Sequence, residues 1–131
     1  MSLSPYPANK DIASVLVVED ELLVRLAVSD ALREAGFIVI EAFNADEAIE
    51  ILHSGLKIDL LLSDVRMPGS MDGLGLLQYS HDSYPRLPVI ITSGRLLSDD
   101  ALARGARHFL RKPYALDHAI TLIQLELGKM S

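Results

Sequence analysis

The sequence of 131 residues contains no cysteine and no tryptophan. The lack of cysteine excludes disulfides and thiolate metal sites, and it fits a reducing compartment. Basic residues are outnumbered, with 12 Lys and Arg against 18 Asp and Glu, which argues against nonspecific nucleic-acid binding through a basic face. No apolar run approaches the roughly 20 residues that a membrane helix needs, and residues 1–10 do not resemble a signal peptide. We therefore predict a cytoplasmic, acidic protein with no direct nucleic-acid or membrane partner.

Segments typical of strands and helices alternate along the chain, and the length predicts one domain. We predict a flexible segment at 1–11, the domain at 12–128 and a tail at 129–131. The predicted strands cover residues 13–18, 37–42, 60–63, 88–92 and 107–111, and the predicted helices cover 21–35, 44–52, 72–84, 98–104 and 115–127. Five such β-α units predict a parallel sheet with helices on both of its faces.

Two helices carry informative apolar patterns. On the first, a face repeating at three and four residues is expected to pack on the sheet: Val24, Ala27, Val28, Ala31, Leu32 and Ala35. On the last, we expect the sheet to contact Leu116, Ala119, Ile120, Ile123 and Leu127, while a second stripe contains Tyr114, His118, Leu122 and Leu125. A helix that is apolar on two sides predicts either a partner or dimer surface, or partial cover by neighbouring loops.

Carboxylates follow two of the predicted strands. Asp64 comes directly after the apolar third strand, and Glu19 and Asp20 follow the first. Because the carboxyl ends of parallel strands lie at one edge of a sheet, these three acids are expected to meet where open α/β sheets place their sites. Bare carboxylates would repel one another, and a divalent cation would resolve the repulsion. An all-oxygen ligand set suits Mg²⁺.

A hydroxyl and an ammonium are predicted at the same edge. Thr92 ends the fourth strand and Lys112 follows the fifth. Each could be an ordinary strand or surface residue, but the full set is equipped for phosphoryl transfer. Asp64 would be the nucleophile, and Lys112 and the metal would neutralise the phosphoryl oxygens.

The chain contains four ordered motifs: VLVVEDE at 15–21, LLLSDVRMPGSMDG at 60–73, VIITSG at 89–94 and FLRKP at 109–113. They resemble the motifs of the two-component response-regulator receiver domain, either as a stand-alone protein or as part of a longer one. The resemblance covers about residues 12–128. It implies a flavodoxin-like five-stranded parallel sheet of order 2-1-3-4-5, and a role as a phosphorylated switch in a phosphorelay.

The resemblance also implies roles for individual residues. Asp64 would accept a phosphoryl group from a phosphohistidine of a histidine kinase or histidine phosphotransferase. Glu19, Asp20 and Asp64 would hold Mg²⁺ together with the backbone carbonyl of Arg66.

The remaining implied roles concern the response to phosphorylation. Thr92 matches the switch hydroxyl, Lys112 the phosphate-binding lysine and Phe109 the switch aromatic, and the Lys112–Pro113 bond is expected to be cis. Three departures from the family pattern stand out. The loop between Asp64 and the Asp72-Gly73 pair is one residue longer, the segment 92–112 is about two residues shorter, and Ser93-Gly94 replaces the commoner pair. The last two fall near helix four, strand five and the last helix, where a homodimer or output partner is expected.

Two other functions remain open at this point. One is a docking module that keeps the fold without being phosphorylated, against which the intact acids, Thr92 and Lys112 argue. The other is a phosphatase of the haloacid-dehalogenase type, which needs a second aspartate two residues after the nucleophile. Arg66 occupies that position and is no proton donor near neutral pH. We therefore expect a protein that catalyses only its own phosphorylation and dephosphorylation.

Overall fold

The computed structural model describes residues 12–67, 69, 71–94 and 98–128. The predicted flexible segment 1–11 and tail 129–131 lie outside these residues, as do Pro68 and Ser70 of the third-strand motif. Five strands and five helices alternate: β1 (Ser14–Val18), α1 (Leu22–Glu34), β2 (Ile38–Ala42), α2 (Ala45–His53), β3 (Leu60–Asp64), α3 (Gly73–Ser83), β4 (Val89–Ser93), α4 (Ser98–Ala103), β5 (His108–Arg111) and α5 (Leu116–Gly128). Each lies within about two residues of its predicted bounds.

The strands form one parallel sheet of order β2-β1-β3-β4-β5, which confirms the predicted fold. Strands β1, β3 and β4 are buried along their whole length. Continuous apolar runs are expected for such strands, since helices cover both faces of the sheet. The acids at the ends of β1 and β3 therefore follow segments that are fully removed from water.

The core consists of two layers, one on each face of the sheet, because successive strand residues point to opposite faces. Leu16, Val18, Leu61 and Ile91 pack with α2, α3 and α4, whose buried residues include Ala48, Leu52, Leu76, Leu77 and Ala101. On the other face, Val15, Val17, Leu60, Leu62 and Ile90 pack with Val28 and Leu32 of α1 and with Ala119 and Ile123 of α5. Among the described residues, no helix has the length and apolar character needed to cross a bilayer.

Side-chain caps set the start of two helices. The Asn44 carboxamide oxygen accepts a hydrogen bond from the Glu47 amide at 2.8 Å and so caps the amino end of α2. Glu47 accepts in return from the amide of Phe43, one residue before the cap. At α3, Asp72 accepts from the Gly75 amide at 2.9 Å. This cap ends the loop that leads away from Asp64.

The predicted buried face of α1 is partly wrong. Val28 and Leu32 are buried, but Ala27 and Ala35 are exposed, and Ser29 is buried instead. The helix is apolar over a wider arc than the sheet can cover, so spacing alone did not locate the contact stripe. As a result Leu22, Leu23 and Leu26 are left exposed.

The second stripe of α5 does not form one surface. Leu122 is half-buried and packs against the sheet cluster, while His118 and Leu125 are exposed. Of the first stripe, Ala119 and Ile123 are buried as predicted, but Leu116 is exposed and its predicted contact with the sheet is wrong. Partial cover by neighbouring elements therefore accounts for Leu122, whereas Leu125 remains an exposed apolar side chain.

Candidate functional site

The strand ends bring the predicted site residues to one edge of the sheet. Asp64 is the last residue of β3, and its Cα pairs with that of Thr92 in β4. In the neighbouring pair, Val18 of β1 lies opposite Ser63 of β3, so Glu19 follows at the level of Asp64. The predicted convergence of the first, third and fourth strands at this edge is therefore observed.

Three carboxylates meet there. One oxygen from each of Glu19, Asp20 and Asp64 lies within 4.8 Å of the others. Glu19 and Asp64 are buried, and Asp20 is exposed. This arrangement combines two desolvated charges with one that solvent can reach.

Lys112 compensates the two buried acids. Its ammonium lies 2.7 Å from Glu19 Oε1 and 3.1 Å from Asp64 Oδ2. The Lys112 amide donates to the carbonyl of Ser93 at 3.0 Å, and the Lys112–Pro113 bond is cis, as expected. The lysine thus reaches across the sheet from the end of β5 to the ends of β1 and β3.

The pKa values of Glu19 and Lys112 are both raised, although burial acts on them in opposite directions. Burial raises the pKa of Glu19, and the charge of Asp64 adds to this, against the lowering effect of the hydrogen bond from Lys112. Burial lowers the pKa of Lys112, but the hydrogen bond to Glu19 and the negative charges of Asp64 and Glu19 outweigh it and raise that pKa. Lys112 is therefore held as a cation.

Backbone groups orient Asp64. Its Oδ1 accepts from the Val65 amide at 2.8 Å, leaving Oδ2 to Lys112. Gly73 packs directly against this turn, and a Cβ there would lie 2.0 Å from the Asp64 carbonyl oxygen. The Gly73 amide also donates to the Val65 carbonyl at 2.8 Å. Gly73 is thus required beside the site, a role that the sequence reasoning missed although the Asp72-Gly73 pair lies in the motif.

The exposed side of the site is an open depression of about 560 Å³. It is lined by Asp20, Val65, Arg66, Met67 and Asp72. Arg66, whose carbonyl was predicted as a metal ligand, lines the same depression as Asp20. The donor set of carboxylate and carbonyl oxygens fits a hard divalent cation.

The predicted switch residues lie on the two neighbouring strands. Thr92 is buried at the end of β4, and Phe109 is half-buried in β5. The guanidinium carbon of Arg111 lies 5.8 Å from the centre of the Phe109 ring, and its Nη1 donates to the carbonyl of Gly94 at 3.4 Å. Arg111 therefore contacts both the aromatic side chain and the loop that follows Thr92.

Arg25 of α1 is a further contact that sequence reasoning missed. Its Nη1 donates to the backbone carbonyl of Glu19 at 2.9 Å. The signal available in the sequence was its position six residues after Glu19, on the first turns of the following helix.

Comparisons with known proteins agree with this geometry. The family "Response regulator receiver domain" matches residues 15–124. The DNA-binding transcriptional regulator NtrC of Escherichia coli (strain K12) is 40% identical over 113 residues, which cover 84% of this chain and 24% of NtrC. The sensor kinase CckA of Brucella abortus is 38% identical over 123 residues, 89% of this chain and 13% of CckA. The chain thus spans a quarter or less of these curated relatives.

Solved structures share the architecture. The receiver domain of NtrX from Brucella abortus superposes with a TM-score of 0.81 at 33% identity, covering 87% of this chain and 98% of that domain. A CheY-like receiver domain protein from Methanospirillum hungatei gives 0.83 at 23% identity, covering 90% and 95%, which supports the fold alone. Since the family model matches residues 15–124 and NtrC is 40% identical over 84% of this chain, the chain belongs to the response-regulator receiver domains of two-component systems.

Proposed function

We propose that Asp64 accepts a phosphoryl group from a phosphohistidine of a histidine kinase or histidine phosphotransferase. The observation that carries this proposal is the position of Lys112, whose ammonium lies between Glu19 and Asp64. A cation fixed beside a buried carboxylate can neutralise a phosphoryl group on that carboxylate. An Asp64 oxygen forms the new bond to phosphorus as the phosphorus–nitrogen bond breaks, and the leaving imidazole keeps the electron pair and takes up a proton.

The other residues position the transferred group. Lys112 exchanges its bonds to the two carboxylates for a bond to a phosphoryl oxygen, and Thr92, opposite Asp64 in the neighbouring strand, offers its hydroxyl to another. Movement of Thr92 would vacate space towards which Phe109 turns. Arg111, which contacts Phe109 and the Gly94 carbonyl, links this movement to the loop after β4.

We further propose Mg²⁺ as the cation of the site. Glu19, Asp20, Asp64 and the carbonyl of Arg66 would hold it, because their oxygens are the ligands that this ion prefers. When bound, Mg²⁺ supplies neutralisation of charge on the phosphoryl oxygens.

The phosphodonor is proposed to dock on the first turns of α1. Leu22, Leu23 and Leu26 are exposed there, Leu23 by 81%. Beside them runs a groove of about 620 Å³, lined by Leu23, Val24, Ala27, Val28, Glu21, Lys112, Pro113, Tyr114 and Leu116. An apolar surface that reaches Lys112 is suited to a protein that must bring its histidine to Asp64. Since histidine kinases use ATP as their phosphoryl donor, we assign the transfer to Asp64 to the cytoplasm.

The protein is proposed to act as a switch and not as an enzyme with an external substrate. Of the two alternatives, the docking module does not account for a buried carboxylate pair held by a lysine. The phosphatase is disfavoured by Arg66, which stands two residues after Asp64 and is exposed. We also propose that the signal passes through β5 and α5 to a second copy or another partner. The domain is proposed to span residues 12–128.

The proposal is tested by labelling with acetyl phosphate and Mg²⁺, followed by intact-mass spectrometry. We expect wild-type protein to gain one phosphoryl group and Asp64→Asn to gain none. The matched control is Asp59→Asn, because Asp59 precedes the same strand and also pairs with a lysine. Undiminished labelling of Asp64→Asn would overturn the assignment. A wild-type protein that neither labels nor responds to Mg²⁺ would favour the docking module, and turnover of a phosphomonoester would favour the phosphatase.

A further inference from the structure

Arg25 joins the first helix to the loop that carries two of the three acids. Its side chain is only 17% exposed. The Nη1 group donates to the backbone carbonyl of Glu19 at 2.9 Å, and the Nε group donates to Glu41 Oε1 at 3.1 Å. Because a guanidinium is planar and rigid, fixing one edge on Glu41 fixes the direction in which the other edge points.

Glu41 of β2 is held from a second side. Arg33, two turns further along α1, donates from Nη2 to Glu41 Oε2 at 3.0 Å and to the carbonyl of Val39 at 3.2 Å. The Arg33 side chain is 45% exposed, and its hydrogen bonds to Glu41 and Val39 do not involve the site residues. The two arginines therefore share one carboxylate, but only Arg25 also contacts the backbone of a predicted metal ligand.

The backbone of Glu19 is fixed on both sides by this arrangement. Its amide donates to the carbonyl of Ala42 at 3.1 Å, and its carbonyl accepts from Arg25. Its side chain is also held, since Oε1 accepts from Lys112 and Oε2 from the Glu21 amide. The carbonyl of Glu19 belongs to the peptide unit that leads to Asp20, so its orientation sets where the Asp20 carboxylate begins.

We propose that Arg25 is a positioning residue for the divalent-cation site. By holding the Glu19 carbonyl, it keeps the Glu19 and Asp20 carboxylates at the spacing at which both can bind one ion. This inference rests on the proposed Mg²⁺-dependent function and extends it to a residue that touches neither the ion nor the phosphoryl group. Outer contacts of this kind typically change metal affinity by about 10- to 100-fold.

The test measures the Mg²⁺ dissociation constant directly, by chemical-shift titration of the folded protein. We expect Arg25→Met to weaken Mg²⁺ binding about 10-fold or more. Arg33→Met is the matched control, because it removes the other arginine from Glu41 and leaves the Glu19 carbonyl bonded. Its dissociation constant is expected to stay within about twofold of wild type, since it lacks a contact to the site. Urea unfolding without Mg²⁺ reports the structural cost of each change separately.

A second variant tests the inference in case Arg25→Met does not fold. Arg25→Lys keeps the charge and most of the stem but cannot make both contacts in the fixed geometry of a guanidinium. We expect it to fold and to bind Mg²⁺ more weakly than wild type. Unchanged Mg²⁺ affinity in the Arg25 variants, or equal weakening in Arg33→Met, would overturn the positioning role while leaving the proposed function intact. A wild-type protein that binds no Mg²⁺ and does not label would instead sink the proposed function itself.

Discussion

Strand β3 has a lysine–aspartate pair at each end, and the two pairs differ in burial and in the charged residues around them. At the amino end, Lys57 lies 2.8 Å from Asp59, with the lysine side chain 56% exposed. At the carboxyl end, Lys112 lies 3.1 Å from Asp64 and is 23% exposed. Asp59 also accepts from the Ser14 amide at 2.8 Å, so its carboxylate closes the start of β1. Asp64 instead faces two more acids.

The difference separates a structural ion pair from the ion pair that contains the proposed phosphoacceptor. In the Asp59 pair the lysine is solvated and the carboxylate also satisfies a backbone donor, so its charges cost little. The Asp64 pair buries charge beside Glu19, which is tolerated only with compensation. Stability should therefore come from the apolar strand between the pairs, and reactivity from its carboxyl end alone.

The largest expected effect tests the apolar contribution to this division. Leu60, the first residue of β3, is fully buried. Leu60→Ala should lower the free energy of unfolding by about 2–5 kcal/mol, because it leaves a cavity in the core. Urea unfolding measures this loss, and acetyl phosphate labelling of the remaining folded protein should still reach wild-type stoichiometry. If labelling at mild temperature falls in proportion to the loss of stability, the separation of stability from reactivity along β3 is contradicted.

Metal binding provides the next largest effect and should act at one end of the strand only. At a free Mg²⁺ concentration of about 100 times its dissociation constant, the folded state should gain about 2.7 kcal/mol. Asp20→Asn should lose most of this gain, because it removes one of the three proposed carboxylate ligands. Thermal unfolding with Mg²⁺ and with a chelator measures the gain. Asp59→Asn is the control and should keep the stabilisation by Mg²⁺. A comparable loss in this variant would contradict the difference between the two ends of β3.

Removing each lysine compares the two pairs directly. Breaking a buried pair costs about 3–5 kcal/mol, and partial exposure of Lys112 should reduce the cost of Lys112→Met to about 2 kcal/mol. Lys57→Met should cost about 0–1 kcal/mol, since the Lys57 side chain is 56% exposed to solvent. Urea unfolding at neutral pH gives both values. Equal costs would mean that burial does not distinguish the pairs.

The cost of Lys112→Met should also depend on pH. The raised pKa of Lys112 means that its contribution is complete at neutral pH and is lost only as the pH rises through its folded-state value. The raised pKa of Glu19 means that this acid takes up a proton early as the pH falls, which relieves the uncompensated charge in the variant. The stability gap between variant and wild type should therefore narrow as the pH falls from neutral towards the ordinary range of a carboxyl group. A gap that widens on acidification would contradict this electrostatic account.

The smallest expected change in stability tests whether α1 is a docking surface. Leu23→Arg should alter the free energy of unfolding by no more than about 0.5 kcal/mol, because the side chain is exposed. Labelling by acetyl phosphate should be unchanged, whereas transfer from a phosphorylated histidine kinase should slow about 10-fold, since a charge would enter an apolar contact. Leu125→Arg on α5 is the control. Slower transfer in both variants, or in neither, would remove α1 as the proposed docking surface.

Much of the fold could be predicted from the sequence because its signals are local. Apolar runs of four to six residues and apolar side chains repeated at three and four residues each act within a short stretch of chain. Because parallel strands align their carboxyl ends, the convergence of Glu19, Asp20 and Asp64 followed from those local elements. The error on α1 has the same origin, since the helix is apolar over a wide arc and only packing decides which part of it meets the sheet.

The sequence by itself determined the alternation of strands and helices, the edge at which the acids meet and the identity of the groups gathered there, while the strand order was implied by the resemblance to the family. Only the tertiary structure decided how those groups are paired. Lys112 bonds to Glu19 across 93 positions of sequence, and Arg25 ties the Glu19 carbonyl to Glu41 of β2. Such contacts depend on how deeply each charge is buried and on which donor lies within reach. Those are properties of the assembled sheet edge, which no local pattern encodes.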